Sequence, residues 1–323
     1  MLGCSLSPDP RGVGFVPSMD SSAQMGVQES VDLLHGVVAE LGRALSVRVL
    51  VIKGPTLARQ GLRARRWSTD VDVLVEPNRL PDLLAGLAAC GFETQSSGTV
   101  WELLSSHAVQ VRHELFSAPV DVHFALPGLL GEPAKVFELL WEDSVQEVFA
   151  GCSVSVPSTV DHALVAVVAE LRTPQSRADL TDKTEELARN LVQVAGDEGV
   201  SVLATRAESL GCRWSAHPLL RSVLGVRRKR DSGVPLRAIV AWQFRRCLGG
   251  NFTGAAGEAL MSGRVGQPWR HALRALWPSE ADLLSLGDVA GTDALAMIRY
   301  RLRRITRILP TPGRSSGEHS RGR

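Results

Sequence analysis

The chain has few aromatic residues, scattered cysteines and no strong excess of charge. Tyr300 is its single tyrosine in 323 residues, and aromatics make up 5% of the composition. That argues against the stacking platforms on which single-stranded nucleic acids are bound. Formal net charge is +2 at pH 7, so no global electrostatic signature for nucleic acid or membrane is present. The five cysteines (Cys4, Cys90, Cys152, Cys212, Cys247) are odd in number and form no CxxC pair. This speaks against a disulfide framework and a zinc site, and fits a reducing cytoplasm. No stretch approaches the roughly 18 apolar residues that a membrane span needs. Residues 2–4 read LGC, but no apolar run precedes them, so neither lipidation nor secretion is expected.

What is present is ordinary globular material, 44% hydrophobic and 22% charged, long enough for about two domains. Residues 1–28 are rich in Ser, Pro and Gly and are expected to be disordered, with Met19 and Met25 as alternative starts. Val31, Leu34, Val38, Leu41 and Leu45 recur at three- and four-residue steps, predicting a helix over 29–45. VRVLVI at 47–52 reads as a buried strand ended by Lys53-Gly54-Pro55, and a short helix over 56–63 follows. VDVLVE at 71–76 is a second strand. Pro77-Asn78 breaks it, and RLPDLLAGLAAC then forms a helix closed by Gly91. FETQ, VWELLSS and VQVRHELF within 92–117 read as short strands or a hairpin, PVDVHFAL at 119–126 as a further strand, 133–141 as a helix and VSVP at 154–157 as an extended piece. From Thr159 the pattern is helical, over 159–172, 178–195, 199–210, 216–226, 233–248, 255–262, 269–275, 279–286 and 293–309, before a polar tail over 310–323. The expected class is α+β, a small mixed β-sheet with helices over 29–157 followed by a mostly helical region over 158–309.

Two acids stand in the second strand. Side chains alternate across a strand, so Asp70 and Asp72 share one face while Val71, Val73 and Val75 share the other. A half-solvated edge strand would account for them. Leu74 continues the acidic face, however, so that face is not simply wet. Two neighbouring carboxylates repel and are costly to bury unless a cation compensates. Mg²⁺ suits carboxylates together with nucleotide phosphates. In VDVHF, Asp121 and His123 also share a face. Asp121 from a neighbouring strand would complete a three-carboxylate cluster able to hold two metals about 3.5–4 Å apart. A strand-end acid making backbone hydrogen bonds is the alternative for Asp121, and His123 reads more readily as a hydrogen-bond partner than as a ligand. The Lys53-Gly54 turn, with Lys53 and Thr56 beside it, resembles a place where backbone amides approach phosphate. A plain turn explains it equally, and it lacks the GKS or GKT of a P-loop. Arg63, Arg65 and Arg66 lie between turn and strand; Arg66, four residues before Asp70, is the candidate for a phosphate contact.

Together, VIKGPTLARQGL, RRWSTDVDVLVEP and the later Asp121-Val122-His123-Phe124 resemble the bacterial uncharacterised nucleotidyltransferases, within the superfamily that includes DNA polymerase beta. LRALWPSEADLL and YRLRRITRIL look like that group's closing segments. The resemblance implies transfer of a nucleoside monophosphate from an NTP to an acceptor, with Mg²⁺ and release of pyrophosphate. It implies Asp70, Asp72 and Asp121 as catalytic metal ligands, and Lys53, Gly54, Thr56, Arg66 and Ser68 around the nucleotide phosphates, with His123 in a substrate or supporting role. One departure is Pro55, where the superfamily usually has serine; it offers neither hydroxyl nor N–H. A catalytically inactive nucleotide- or partner-binding protein on the same fold is the alternative. The acceptor is open between a small molecule, a peptide or protein, and an RNA end; RRKR at 227–230 and the arginines of 299–307 keep the last in view.

Overall fold

The computed structural model describes residues 25–94, 107–172, 177–248 and 298. Its strands are β1 (Val49–Ile52), β2 (Val71–Val75), β3 (Glu93–Thr94), β4 (Ala108–Arg112), β5 (Val120–His123), β6 (Val145–Phe149) and β7 (Cys152–Val156). Among the described residues they make one seven-stranded sheet in the order β3-β4-β5-β2-β1-β7-β6. β2 runs antiparallel to β1 and parallel to β5, and β1 runs parallel to β7, so the sheet is mixed as expected.

Period-two alternation divides the core. Val49, Val51, Val71, Val73, Val75, Val120 and Val122 point to one face. There they meet Val31, Leu34 and Val38 of α1 (Val27–Ala44) and Leu83 and Leu87 of α3 (Leu80–Ala89). Leu50, Ile52 and Leu74 point to the other face, with Leu57 of α2 (Gly54–Arg59). That face is covered by α4 (Pro133–Glu142), α5 (Thr159–Arg172), α6 (Arg177–Ser209), α7 (His217–Leu224) and α8 (Leu236–Leu248). The helical region thus shares a hydrophobic cluster with the sheet. α5 is buried on nearly every side, as its run from Val160 to Val168 requires. Trp242 of α8 is buried in the same cluster.

Local chemistry sets the ends. Glu132 caps α4 by accepting from Ala134 N (3.1 Å) and Lys135 N (2.8 Å), and Pro133 occupies the first turn, where its missing N–H costs nothing. Gly196, at φ 60 and ψ −170, interrupts α6 and separates the two helices expected at 178–195 and 199–210. Arg206 joins α6 to α5 and the end of α4. It donates to both oxygens of the fully buried Asp161 (2.9 and 2.5 Å) and pairs with Asp143 at 2.9 Å.

Differences from expectation are local. α1 begins at Val27, and Met25 is tied in by the Ser117 hydroxyl and a bridge to Phe116, so residues 25–28 are part of the fold. β6 was not expected. VQEVF lies at the sheet's outer edge with Val145 and Val148 exposed, so it carries no inward-outward alternation to read. The expected strand VWELLSS, the helices beyond residue 250 and the tail lie outside the described residues.

Candidate active site

The site begins at the turn after β1. Lys53 has φ 58 and ψ −145, and Gly54 has φ 50. A non-glycine residue held there costs about 1–3 kcal/mol and persists only where its surroundings impose it. Here the surroundings are a hydrogen-bonded chain. The Lys53 N–H donates to His162 Nε2 (2.8 Å); the His162 Nδ1–H donates to Gln60 Oε1 (2.7 Å); Gln60 Nε2 donates to Pro157 O (2.9 Å). These partners require neutral His162 with its proton on Nδ1. Burial, then Arg63 and Lys53, lower its pKa to about 3. The Thr56 hydroxyl donates to Lys53 O, and Arg63 Nη2 donates to Gly54 O at 2.7 Å.

Strand register places the acids. Ile52 is opposite Asp72 across β1–β2, and Asp72 is opposite Asp121 across β2–β5. The two carboxylates come from adjacent strands and the same face, next to the turn that leaves β1. Asp72 Oδ1 accepts from Lys53 Nζ at 2.6 Å and from His123 Nε2–H at 2.7 Å. Lys53 Nζ also stands 3.4 Å from His123 Nε2. Asp121 Oδ1 accepts from Gln110 Nε2 on β4 at 2.8 Å. Burial alone would raise the Asp72 pKa, but the Lys53 ammonium and the His123 hydrogen bond outweigh it and hold the carboxyl well below the usual range. Burial, then Lys53, lowers His123, so its imidazole is neutral. Its Nδ1 is buried and has no hydrogen-bond partner among the described residues. Asp70 is raised by burial, then by the charges of Asp72 and Asp121, which marks it as their electrostatic neighbour. Ser68 donates to Asp70 O at 3.0 Å and lies 3.4 Å from Asp70 Oδ1.

Ligand atoms of Asp72, Asp121 and His123 all lie within 4.8 Å of one another. The two hard carboxylates suit Mg²⁺ or Mn²⁺, and His123, whose Nε2–H is given to Asp72, steadies that carboxylate. Among the residues nominated from sequence, Lys53, Asp72, Asp121 and His123 come together. Asp70 is close but outside that group, and His123 stands in it. Thr56 is fully buried, its hydroxyl engaged with Lys53 O. Ser68 borders the turn, since a Cβ on Gly54 would lie 3.5 Å from its Oγ. Arg66 pairs with Glu186 on α6 at 3.8 Å, whereas Arg63 is the arginine bonded to the turn. Both line a pocket with Leu57, Leu62 and Glu186. Sequence reasoning missed His162 and Gln110 because their partners lie far along the chain or across a hairpin, and neither sits in a motif.

The profile of the family described as uncharacterised nucleotidyltransferase matches residues 21–223. The chain belongs to this family. Membership in the uncharacterised nucleotidyltransferases makes it a transferase of nucleotidyl groups. The matched span holds the turn, the acids and the helices through α7. No curated protein matches the chain. Two similar solved structures are of the antibiotic-resistance factor ANT(2'')-Ia. Its solution structure is 16% identical with a TM-score of 0.39, over 57% of this chain and 91% of that one. Its crystal structure with adenylyl-2''-tobramycin is 16% identical with a TM-score of 0.37, over 55% and 95%. At that distance neither carries weight for the function of this member.

Proposed function

We propose that this nucleotidyltransferase moves a nucleoside monophosphate from an NTP to an acceptor hydroxyl with Mg²⁺, releasing pyrophosphate. The observation that carries the reading is the seating of Asp72 and Asp121 side by side on parallel strands, beside the strained Lys53-Gly54 turn. Asp72 and Asp121 would hold the cation, with Asp70 as the adjoining carboxylate and His123 orienting Asp72 through its Nε2–H. A bound Mg²⁺ supplies charge neutralisation at the phosphates and a lower pKa for the attacking hydroxyl. The protein's own residues do the rest. Lys53 reaches the phosphates from the turn as a point charge, and Arg66 approaches from the loop before β2. Asp121, fixed by Gln110, faces the acceptor and takes its hydroxyl proton as that oxygen attacks the α-phosphorus. The bond from the α-phosphorus to the bridging oxygen breaks, and pyrophosphate carries the electron pair away.

The family membership and the absence, among the described residues, of a helix able to cross a membrane accord with an enzyme working on diffusible substrates. We place it in the cytoplasm, with a small molecule, a protein or an RNA end as acceptor. The test is incubation with labelled NTPs, Mg²⁺ and fractionated cell lysate, followed by separation of RNA, protein and small-molecule fractions. Label should enter one fraction with wild-type protein and fall by about a hundredfold or more with Asp72→Asn, the scale of losing a key electrostatic group. Equal labelling with Asp72→Asn would sink the assignment. Pro55, which gives the turn no hydroxyl and no N–H, favours a second reading: nucleotide binding without turnover. Calorimetric binding in the absence of any labelled product would support it.

A further inference from the structure

One carboxylate oxygen of the candidate cation site is already held. Asp72 Oδ1 accepts from Lys53 Nζ at 2.6 Å and from His123 Nε2–H at 2.7 Å. A carboxylate oxygen has about two lone pairs, and both are engaged. The two donors differ in freedom. His123 is buried and fixed in β5, whereas Lys53 reaches the site on a flexible four-carbon stem from a turn outside the strand. The pair is largely shielded from water, with side-chain exposures of 16% for Lys53 and 11% for Asp72. Solvent screening is therefore weak. A divalent cation taking Asp72 Oδ1 has to displace the ammonium. One taking the other oxygen would stand a few ångströms from it and be repelled.

The turn makes this placement deliberate. Lys53 sits at φ 58, where lysine is disfavoured. Four separate hydrogen bonds hold that conformation: Thr56 to Lys53 O, Lys53 N to His162, His162 to Gln60, and Arg63 to Gly54 O. The backbone strain fixes where the lysine stem starts and so directs it at Asp72.

We infer that Lys53 is a tethered competitor of the divalent cation at Asp72, and that nucleotide phosphates relieve the competition by taking over its ammonium. This rests on the metal-assisted reading above and adds an order to it. Cation alone binds weakly, and cation with nucleotide binds well because the phosphates offer Lys53 another anion. The site is thereby protected from filling with metal when no nucleotide is there to use it.

The test reads metal binding rather than turnover. Mn²⁺, which shares the octahedral oxygen preference of Mg²⁺, is titrated by electron paramagnetic resonance into wild type, Lys53→Met, Lys53→Arg and Asp72→Asn. Each titration is made with and without saturating α,β-methylene-ATP. Without nucleotide, Lys53→Met should bind Mn²⁺ about tenfold or more tighter than wild type, the scale of one neighbouring charge acting on a carboxylate. Lys53→Arg keeps the charge and should stay as weak as wild type. With the analogue present, the gain from Lys53→Met should shrink. If Lys53→Met is no tighter than wild type, or Lys53→Arg gains as much as Lys53→Met, the competition is refuted. An equal gain with and without analogue refutes the handover to phosphate. In these cases Mn²⁺ binding that Asp72→Asn abolishes leaves the metal-assisted reading standing. No binding by wild type in either condition removes that reading and this inference with it. Circular dichroism and urea melts identify any variant that has lost its fold, and Lys53→Arg then decides alone against wild type with and without analogue: an arginine variant binding Mn²⁺ tighter than wild type overturns the inference, and one matching it in both conditions supports it.

Discussion

Replacing His162 with leucine separates the two things that this side chain does. At neutral pH it is the acceptor for the Lys53 N–H and the donor to Gln60. Leucine keeps much of the volume and removes both bonds. The Lys53 N–H then lacks its acceptor, a loss of about 1–3 kcal/mol for a buried donor. Gln60 is half-exposed and can turn to water. Relaxation of the turn returns part of the roughly 1–3 kcal/mol held in the Lys53 backbone. With part of that strain returned, the net expectation is about 0.5–2 kcal/mol of destabilisation at pH 7. Acid reverses the balance. His162 in the fold takes a proton only at about pH 3, but in the unfolded chain it does so near pH 6.5. Its folded pKa is depressed below the unfolded one, so the unfolded state binds the extra proton between these values and stability falls as pH drops through them. The slope approaches about 1.4 kcal/mol per pH unit for this one group. The variant lacks that slope, while His35, lowered to about 4 mainly by burial, contributes equally to both proteins. Urea unfolding of the two proteins from about pH 7 to about pH 4.5 should give stability curves that converge and then cross. A difference that stays constant over that range, or a variant as stable as wild type at neutral pH, would refute both the hydrogen-bond assignment and the neutral state of the imidazole.

Arg206→Ala should destabilise the fold by about 3–5 kcal/mol in urea melts, because it leaves the buried Asp161 carboxylate without its cation. Asp161→Asn in the same background should restore part of that loss, and failure to do so would mean that Arg206 acts through Asp143 or Leu139 O instead. A fragment ending at residue 157 tests whether 29–157 and 158–309 are separable. Leu50, Ile52 and Leu74 would lose their cover from α5 and α6, so the fragment should be recovered aggregated or bind a hydrophobic dye, and a soluble, cooperatively melting fragment would show independent domains.

The alternation in VDVLV determined which residues of β2 face each side. Valines 71, 73 and 75 could enter only one layer, which put Asp72 and Leu74 together in the other. The helical stretches were legible in the same way, from apolar spacing and from Gly196 as a break. β6 was not legible, because an edge strand with both faces partly wet has no pattern to enforce.

By itself the sequence determined the α+β class, the acidic face of β2 and the candidate acids. These follow from the two-residue period of a strand, which is local and written in consecutive residues. Only the tertiary structure decided that Asp72 neighbours Asp121, that His123 rather than Asp70 completes the group of ligand atoms within 4.8 Å, and that Lys53 lies on Asp72. Strand order and the path of a lysine side chain depend on pairing between separate segments, 19 residues apart for the Lys53–Asp72 contact and 51 for the Asp72–His123 bond. The same holds for the turn. Lys53-Gly54-Pro55 announced a bend, but its strained geometry is imposed by His162, 109 residues later.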